Sequence, residues 1–220
     1  LLLGAKSAEG VDIDPMCVRT AGENARLNGV QEQFQVLVGD LSDQAEDWGI
    51  YTPEDIEKRV EVKEGDILII NTGYHKYGFD QPEADERRYM LRHPGPSLDF
   101  IQWVREKKLK WIGVDCGSAD HPMNTKIRDW EPMEAEKCNQ VMLERYGKSL
   151  NELYPWPEHY QAMHFELFTQ PYEAIHAECL GGDIDKLSNK RVVIGCFPWK
   201  FVDGESCISR IVAFDGFDNV

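Results

Sequence analysis

Six histidines (His75, His93, His121, His159, His164 and His176) and six cysteines (Cys17, Cys116, Cys138, Cys179, Cys196 and Cys207) are the side chains of this 220-residue chain best suited to bind a metal or attack a carbonyl. Their spacing narrows the options. No histidine pair has an HxxxH spacing with a following Asp, and no cysteines stand as CxxC, so spacing alone defines no metal centre. The cysteines are too dispersed for a disulfide scaffold, which would be short and Cys-dense. Reduced, mostly buried thiols in a cytoplasmic protein are expected, with Cys116 and Cys179 as the nucleophile candidates that no neighbouring residue singles out. Three histidines sit in loop-like sequence and are candidates to line a substrate pocket. They are His75 in Tyr74-His75-Lys76-Tyr77, His93 in Arg92-His93-Pro94-Gly95, and His121 after a strand end in Asp120-His121-Pro122.

The elements that must position these groups alternate between strand and helix. The sequence predicts a strand over 8–14, a helix opened by Pro15 and closed by Asn28-Gly29, and a strand over 34–38, half of a doubly wound parallel unit. Thr52-Pro53-Glu54-Asp55 is a helix-start signature. The continuous apolar runs Asp66 to Asn71 and Trp111 to Val114 read as buried strands, with an amphipathic helix from Leu98 to Lys108 between them. Tyr74 to Pro96 and Asp115 to about Pro132 read as loops. A charged helix follows near Glu134 to Tyr146, and the acidic stretch Glu131 to Glu144 reads as a solvated face. Val192 to Phe197 and Cys207 to Phe214 are β-prone and separated by Asp203-Gly204; Trp199 between them reads as core or oligomer interface.

With 42% hydrophobic and 10% aromatic residues the chain can build a large core, which excludes a disordered protein. Its net charge of -15 argues against nucleic acid and anionic membrane surfaces as partners, since both need clustered Lys and Arg. No apolar run approaches the roughly 18 residues of a membrane span. The opening Leu1-Leu2-Leu3-Gly4 has neither an initiator Met nor the basic flank of a signal peptide, so it reads as the interior of something longer.

Two families are resembled, on either side of residue 40. Leu3-Gly4-Ala5-Lys6-Ser7-Ala8, Gly10-Val11-Asp12-Ile13-Asp14-Pro15, Glu23-Asn24-Ala25-Arg26-Leu27-Asn28-Gly29-Val30 and Gly39-Asp40 resemble the class I, S-adenosylmethionine-dependent methyltransferases that act on a ribosomal protein. The resemblance implies a short Rossmann-like β-α-β fragment over residues 1–40, with Asp12 as the carboxylate for the cofactor ribose. The glycine-rich loop that would meet the cofactor is not in this chain.

Residues 41–220 are similar to the cyclase family that contains kynurenine formamidase and isatin hydrolase. The similarity lies in Val62-Lys63-Glu64-Gly65-Asp66-Ile67-Leu68-Ile69-Ile70-Asn71-Thr72-Gly73, Trp111-Ile112-Gly113-Val114-Asp115, Ser118-Ala119-Asp120 and His164-Phe165-Glu166-Leu167-Phe168. It continues in His176-Ala177-Glu178-Cys179-Leu180-Gly181-Gly182-Asp183-Ile184-Asp185 and Phe197-Pro198-Trp199-Lys200. This implies an α/β protein of the swivelling β/β/α type, incomplete on its N-terminal side and assembling as a homo-oligomer. It also implies a metal, Zn or Mn, with His164 and Glu178 among its ligands. The spacing between the two is stretched around Gln170-Pro171, and His176 competes with His164 for the role.

The family's first metal motif, HxGTHxDxPxH, is expected some tens of residues before Val38, where the methyltransferase-like piece stands instead; the family's catalytic His is absent with it. The implied activity is metal-dependent hydrolysis of a non-peptide amide C–N bond in a small molecule, of the arylformamidase type of tryptophan catabolism or the cyclic-amide type. Activity of this chain is expected to be weak or absent unless another subunit supplies ligands. A non-catalytic fusion or truncated remnant is the first alternative, and a methyltransferase fragment the second.

Overall fold

The computed structural model describes residues 35–42, 46–204 and 206–214. The expected strand over 8–14, the helix from Pro15, Asp12 and Cys17 lie outside the described residues. The rest divides into two compact units, one of Leu37–Lys190 and one that includes Arg191 onward.

The first unit is an α/β layer. Strand β1 (Gln35–Asp40) is followed by β2 (Ile50–Tyr51) and helix α1 (Pro53–Glu57), then by β3 (Ile67–Asn71), helix α2 (Glu86–Leu91) and β4 (Gly95–Pro96). Helix α3 (Asp99–Lys107) leads into β5 (Trp111–Val114). Helices α4 (Ile127–Trp130), α5 (Pro132–Tyr146), α6 (Leu150–Leu153) and α7 (Ala162–Leu167) follow, and β6 (Ile175–Ala177) closes the sheet edge. The strand order is β6-β5-β3-β1, and β3, β5 and β6 run parallel, with Ile69 opposite Gly113 and Ile112 opposite His176.

Local chemistry explains most of these boundaries. Thr52 and Asp55 form a reciprocal capping box at α1, with Pro53 at the first helical position, so two orphan N–H groups are satisfied. In α3 the apolar face of Phe100, Ile101, Trp103 and Val104 is buried, and Lys108 ends the helix in the left-handed region at φ 51°. Leu68 and Ile70 of β3 meet Phe100 and Val104 of α3 and Ile112 of β5 in one core. Each such side chain contributes about 1.5–3 kcal/mol relative to exposure.

Three expectations are corrected. The stretch Tyr74 to Pro96, read as loop, holds a 3-10 turn (Tyr74–Tyr77), α2 and β4; its helix is capped by Asp85, which accepts from the Arg88 N–H. The stretch Asp115 to Pro132 holds a 3-10 turn (Pro122–Asn124) and α4. Helix α5 is not a purely solvated face, because it buries Glu134, Cys138 and Met142. Glu134 is paired with Arg92 at 2.7 Å and Lys137 at 2.8 Å, which makes its burial tolerable.

In the second unit β7 (Arg191–Pro198) and β8 (Ser209–Phe214) form an antiparallel hairpin, with Val193 opposite Phe214 and Pro198 opposite Ser209. Trp199, expected in the core or at an interface, is 69% exposed beyond the end of β7 and is not a core residue.

Candidate metal centre

Parallel strands deliver their next residues to one edge of the sheet, the usual place for a ligand site. Here β5 delivers Asp115 and Cys116, and β6 delivers Glu178. Backbone bonds from Cys179 N–H to Cys116 O and from Leu180 N–H to Val114 O, both 3.0 Å, carry the pairing past the end of β6.

Asp120, 1% exposed, organises the site from the loop after β5. Its carboxylate accepts the backbone N–H groups of Met163 (2.9 Å) and His164 (3.3 Å) in the first turn of α7. It also lies 2.7 Å from His164 Nδ1. A carboxylate already accepting two N–H groups takes a third, so Nδ1 carries a proton and Nε2 is the ring nitrogen left to take up an ion once its own proton is displaced. Nε2 is 3.5 Å from Glu178 Oε1, which accepts the Ala119 N–H at 2.8 Å.

His176 enters from β6. Its ring stacks on Phe168 with centroids 4.2 Å apart and stands edge-on to His164 at 5.1 Å. His164, His176 and Glu178 thus offer one ligand atom each, all within 4.8 Å of one another.

The electrostatics suit a cation. Burial pulls His164 down, but the Asp120 hydrogen bond and the charges of Asp120 and Glu178 outweigh it and raise its pKa. Those charges that favour a proton at the site favour a metal ion in its place. The His176 side chain is exposed overall, but partial desolvation of its imidazole lowers its pKa against the pull of Glu178, which favours the neutral ring a metal needs. Two imidazoles and one carboxylate are the three-ligand set of catalytic zinc sites, with a further position left for water or substrate.

The sequence pair His164 and Glu178 is therefore brought together, and His176 joins the pair rather than displacing His164. The other candidates lie elsewhere. His75 sits beneath the segment that follows Glu178, between Asp115 and Asp185. His93 and His121 are buried at 0% and 1% exposure. Gly95 passes so close that a Cβ there would fall 2.3 Å from the Cα of His121, so only glycine fits. Cys116 is buried, its thiol pushed up by burial and by Asp115, which rules against a thiolate nucleophile. Of the described cysteines only Cys116 and Cys138 are buried and Cys179 is exposed, fewer buried than expected. Sequence reasoning missed Asp120; its signal was an acid just past a predicted strand end.

Residues 28–121 match the family model described as "Putative cyclase", and residues 1–53 match that of the ribosomal protein L11 methyltransferase. Among solved structures, isatin hydrolase A from Ralstonia solanacearum is similar at TM-score 0.54 and 18% identity, over 83% of this chain and 60% of that one. A "predicted metal-dependent hydrolase" from Bacillus stearothermophilus is similar at TM-score 0.50 and 16% identity, over 83% and 64%. These likenesses establish a cyclase-type α/β fold. At the other end, the ribosomal protein L11 methyltransferase of Actinobacillus succinogenes is 48% identical over 40 residues, which are 18% of this chain and 14% of that protein. The chain thus spans about 60% of the hydrolase structures and a small fraction of the methyltransferases.

Proposed function

We propose that this chain binds one divalent transition-metal ion through His164, His176 and Glu178, and that its chemistry is hydrolysis of a non-peptide amide C–N bond in a small molecule. The observation that carries the reading is the convergence of those three donors within 4.8 Å, one of them oriented by the buried Asp120. A carboxylate bonded to the far nitrogen of a metal-binding histidine fixes its tautomer and raises its basicity. Zinc or manganese both suit the set.

A bound ion would lower the pKa of a water and polarise the amide carbonyl. The chain's own residues do the rest. Asp120 holds the His164 proton on Nδ1. The Ala119 N–H holds one oxygen of Glu178 in place. The Phe168 ring covers one face of His176 and supplies an apolar wall against which a planar substrate can lie.

The test is hydrolysis of a panel of formyl-anilides and cyclic amides by the chain loaded with Zn²⁺ or Mn²⁺, beside Glu178→Ala. Turnover above the variant on at least one amide is expected. Equal rates on every amide, with metal bound, would reject the hydrolase reading.

A further inference from the structure

His75 stands apart from the three donors, and its surroundings are unusual. Its Nδ1 lies 2.8 Å from Asp115 Oδ2 and its Nε2 lies 3.2 Å from Asp185 Oδ2. Both partners are carboxylates, which accept but do not donate, so both ring nitrogens must carry protons. Asp115 is fully buried and also accepts the Thr72 N–H (2.8 Å), the Thr72 hydroxyl (2.6 Å) and the His75 N–H (3.3 Å). Asp185 is exposed, and its other oxygen accepts from Asn71 Nδ2 at 2.8 Å. One end of the bridge is thus fixed in the core and the other belongs to the chain that follows Glu178.

That chain needs holding. Between Glu178 and Asp185, Cys179 sits in the left-handed region at φ 58°, a strained conformation for a residue with a Cβ. Gly182 is left-handed at φ 64°. The backbone bonds of Cys179 and Leu180 to the end of β5 anchor its start. At its far end the 3-10 turn Ile184–Leu187 carries Asp185 onto His75.

We infer that His75 is a clasp, an imidazolium held between Asp115 and Asp185 that fixes the Glu178–Asp185 segment and with it the placement of Glu178. The consequence for Glu178 as a ligand rests on the proposed metal centre; the clasp itself does not. The charged groups facing the ring are Asp115, from the end of β5, and Asp185, from the turn above it. Arg88 of α2 and the neighbouring Lys76 lie instead over the ring of Tyr77, at 4.2 and 5.0 Å. The Asp115 hydrogen bond and the two negative charges hold the His75 pKa above its ordinary value despite burial. The clasp is therefore closed at low pH and opens as the pH rises through that raised pKa.

Amide hydrogen exchange of the full chain, followed by mass spectrometry, tests it. At pH 6, His75→Gln and Asp185→Asn should each speed exchange across 179–187 by about tenfold or more, leaving 67–71 of β3 unchanged. The double variant should exchange no faster than either single one, because both break the same bridge. In the wild type, the same segment should lose protection with rising pH beyond the base-catalysed rate, a loss that Asp185→Asn does not show. Asp185 is exposed, so its variant decides the matter if His75→Gln fails to fold. Wild-type exchange in a folded Asp185→Asn, or single effects that multiply, would overturn the clasp. Zinc titration of the same proteins separates the two readings. Tighter binding by wild type than by Asp185→Asn supports the link to Glu178. Faster exchange in the variants of a chain that takes up no zinc at all keeps the clasp and removes the metal centre.

Discussion

Asp120 lies 2.7 Å from His164 Nδ1 while its two oxygens also hold the Met163 and His164 N–H groups, so a single buried carboxylate fixes both the backbone and the ring of one proposed ligand. Asp120→Asn removes the charge and offers the ring an ambiguous partner. Zinc affinity measured by calorimetry should fall about 10- to 100-fold. An unchanged affinity would mean that His164 is not a ligand or needs no orientation.

His176 separates the three-donor centre from a two-donor one. Its backbone pairs with Ile112 whatever its side chain, so His176→Ala should keep the fold. Zinc affinity should drop by about tenfold or more, since catalytic sites usually use three protein ligands. His159→Ala, at an exposed position, is the control and should bind as wild type does. Equal affinity in the two variants would return His176 to a packing role beside Phe168.

The buried histidines give a pH dependence of defined sign. Burial pulls His93 down to about 4 and His121 to about 3. Between those values and the ordinary ~6.5, the unfolded chain binds protons that the folded chain refuses, so stability is full above ~6.5 and falls as the pH drops. The loss is about 2 kcal/mol per histidine by pH 5. His75 acts in the opposite sense, so the informative quantity is a difference between proteins. His121→Gln should show a shallower decline of its urea-unfolding free energy from pH 7 to pH 5, by about one proton. Parallel declines would contradict the burial of a neutral ring.

Glu134 anchors α5 by accepting from Arg92 Nε and Nη2, at 2.7 and 3.1 Å, and from Lys137. The Arg92 hydrogen bonds hold its pKa at about 2 against the opposing effect of burial. Its contribution is present above the unfolded value near 4.5 and is lost as the pH falls toward 2. Glu134→Ala should lower stability at pH 7 by about 2 kcal/mol, less than for a fully buried pair because Arg92 is partly solvated. A urea midpoint within error of wild type would refute that role.

The elements that repeat a simple pattern could be read from the sequence. Trp111 to Val114 forms the expected strand because four apolar residues in a row suit a strand buried on both faces. Helix α3 follows its apolar face. The short elements could not be read this way. Helices α2 and α4 span one or two turns, too little for periodicity, and owe their form to tertiary contacts such as Arg88 with Asp47 and Arg128 with the Tyr154 carbonyl. Of the site, His164 and Glu178 were legible through resemblance. His176 was legible only as a competitor of His164; its place beside that residue, and the roles of Asp120 and His75, were not, because they arise from long-range contacts. His176 reaches His164 only through the β5–β6 register, and Asp120 and His75 act across separations of 44 and 110 residues.

Whether His164, His176 and Glu178 form one metal centre is decided by the metal content of the purified, untagged chain, measured by elemental mass spectrometry beside Glu178→Ala. About one zinc or manganese per chain, lost in the variant, is the expected result. No metal in either protein after equilibration with both ions would contradict it, and would leave three polar side chains packed at a strand edge.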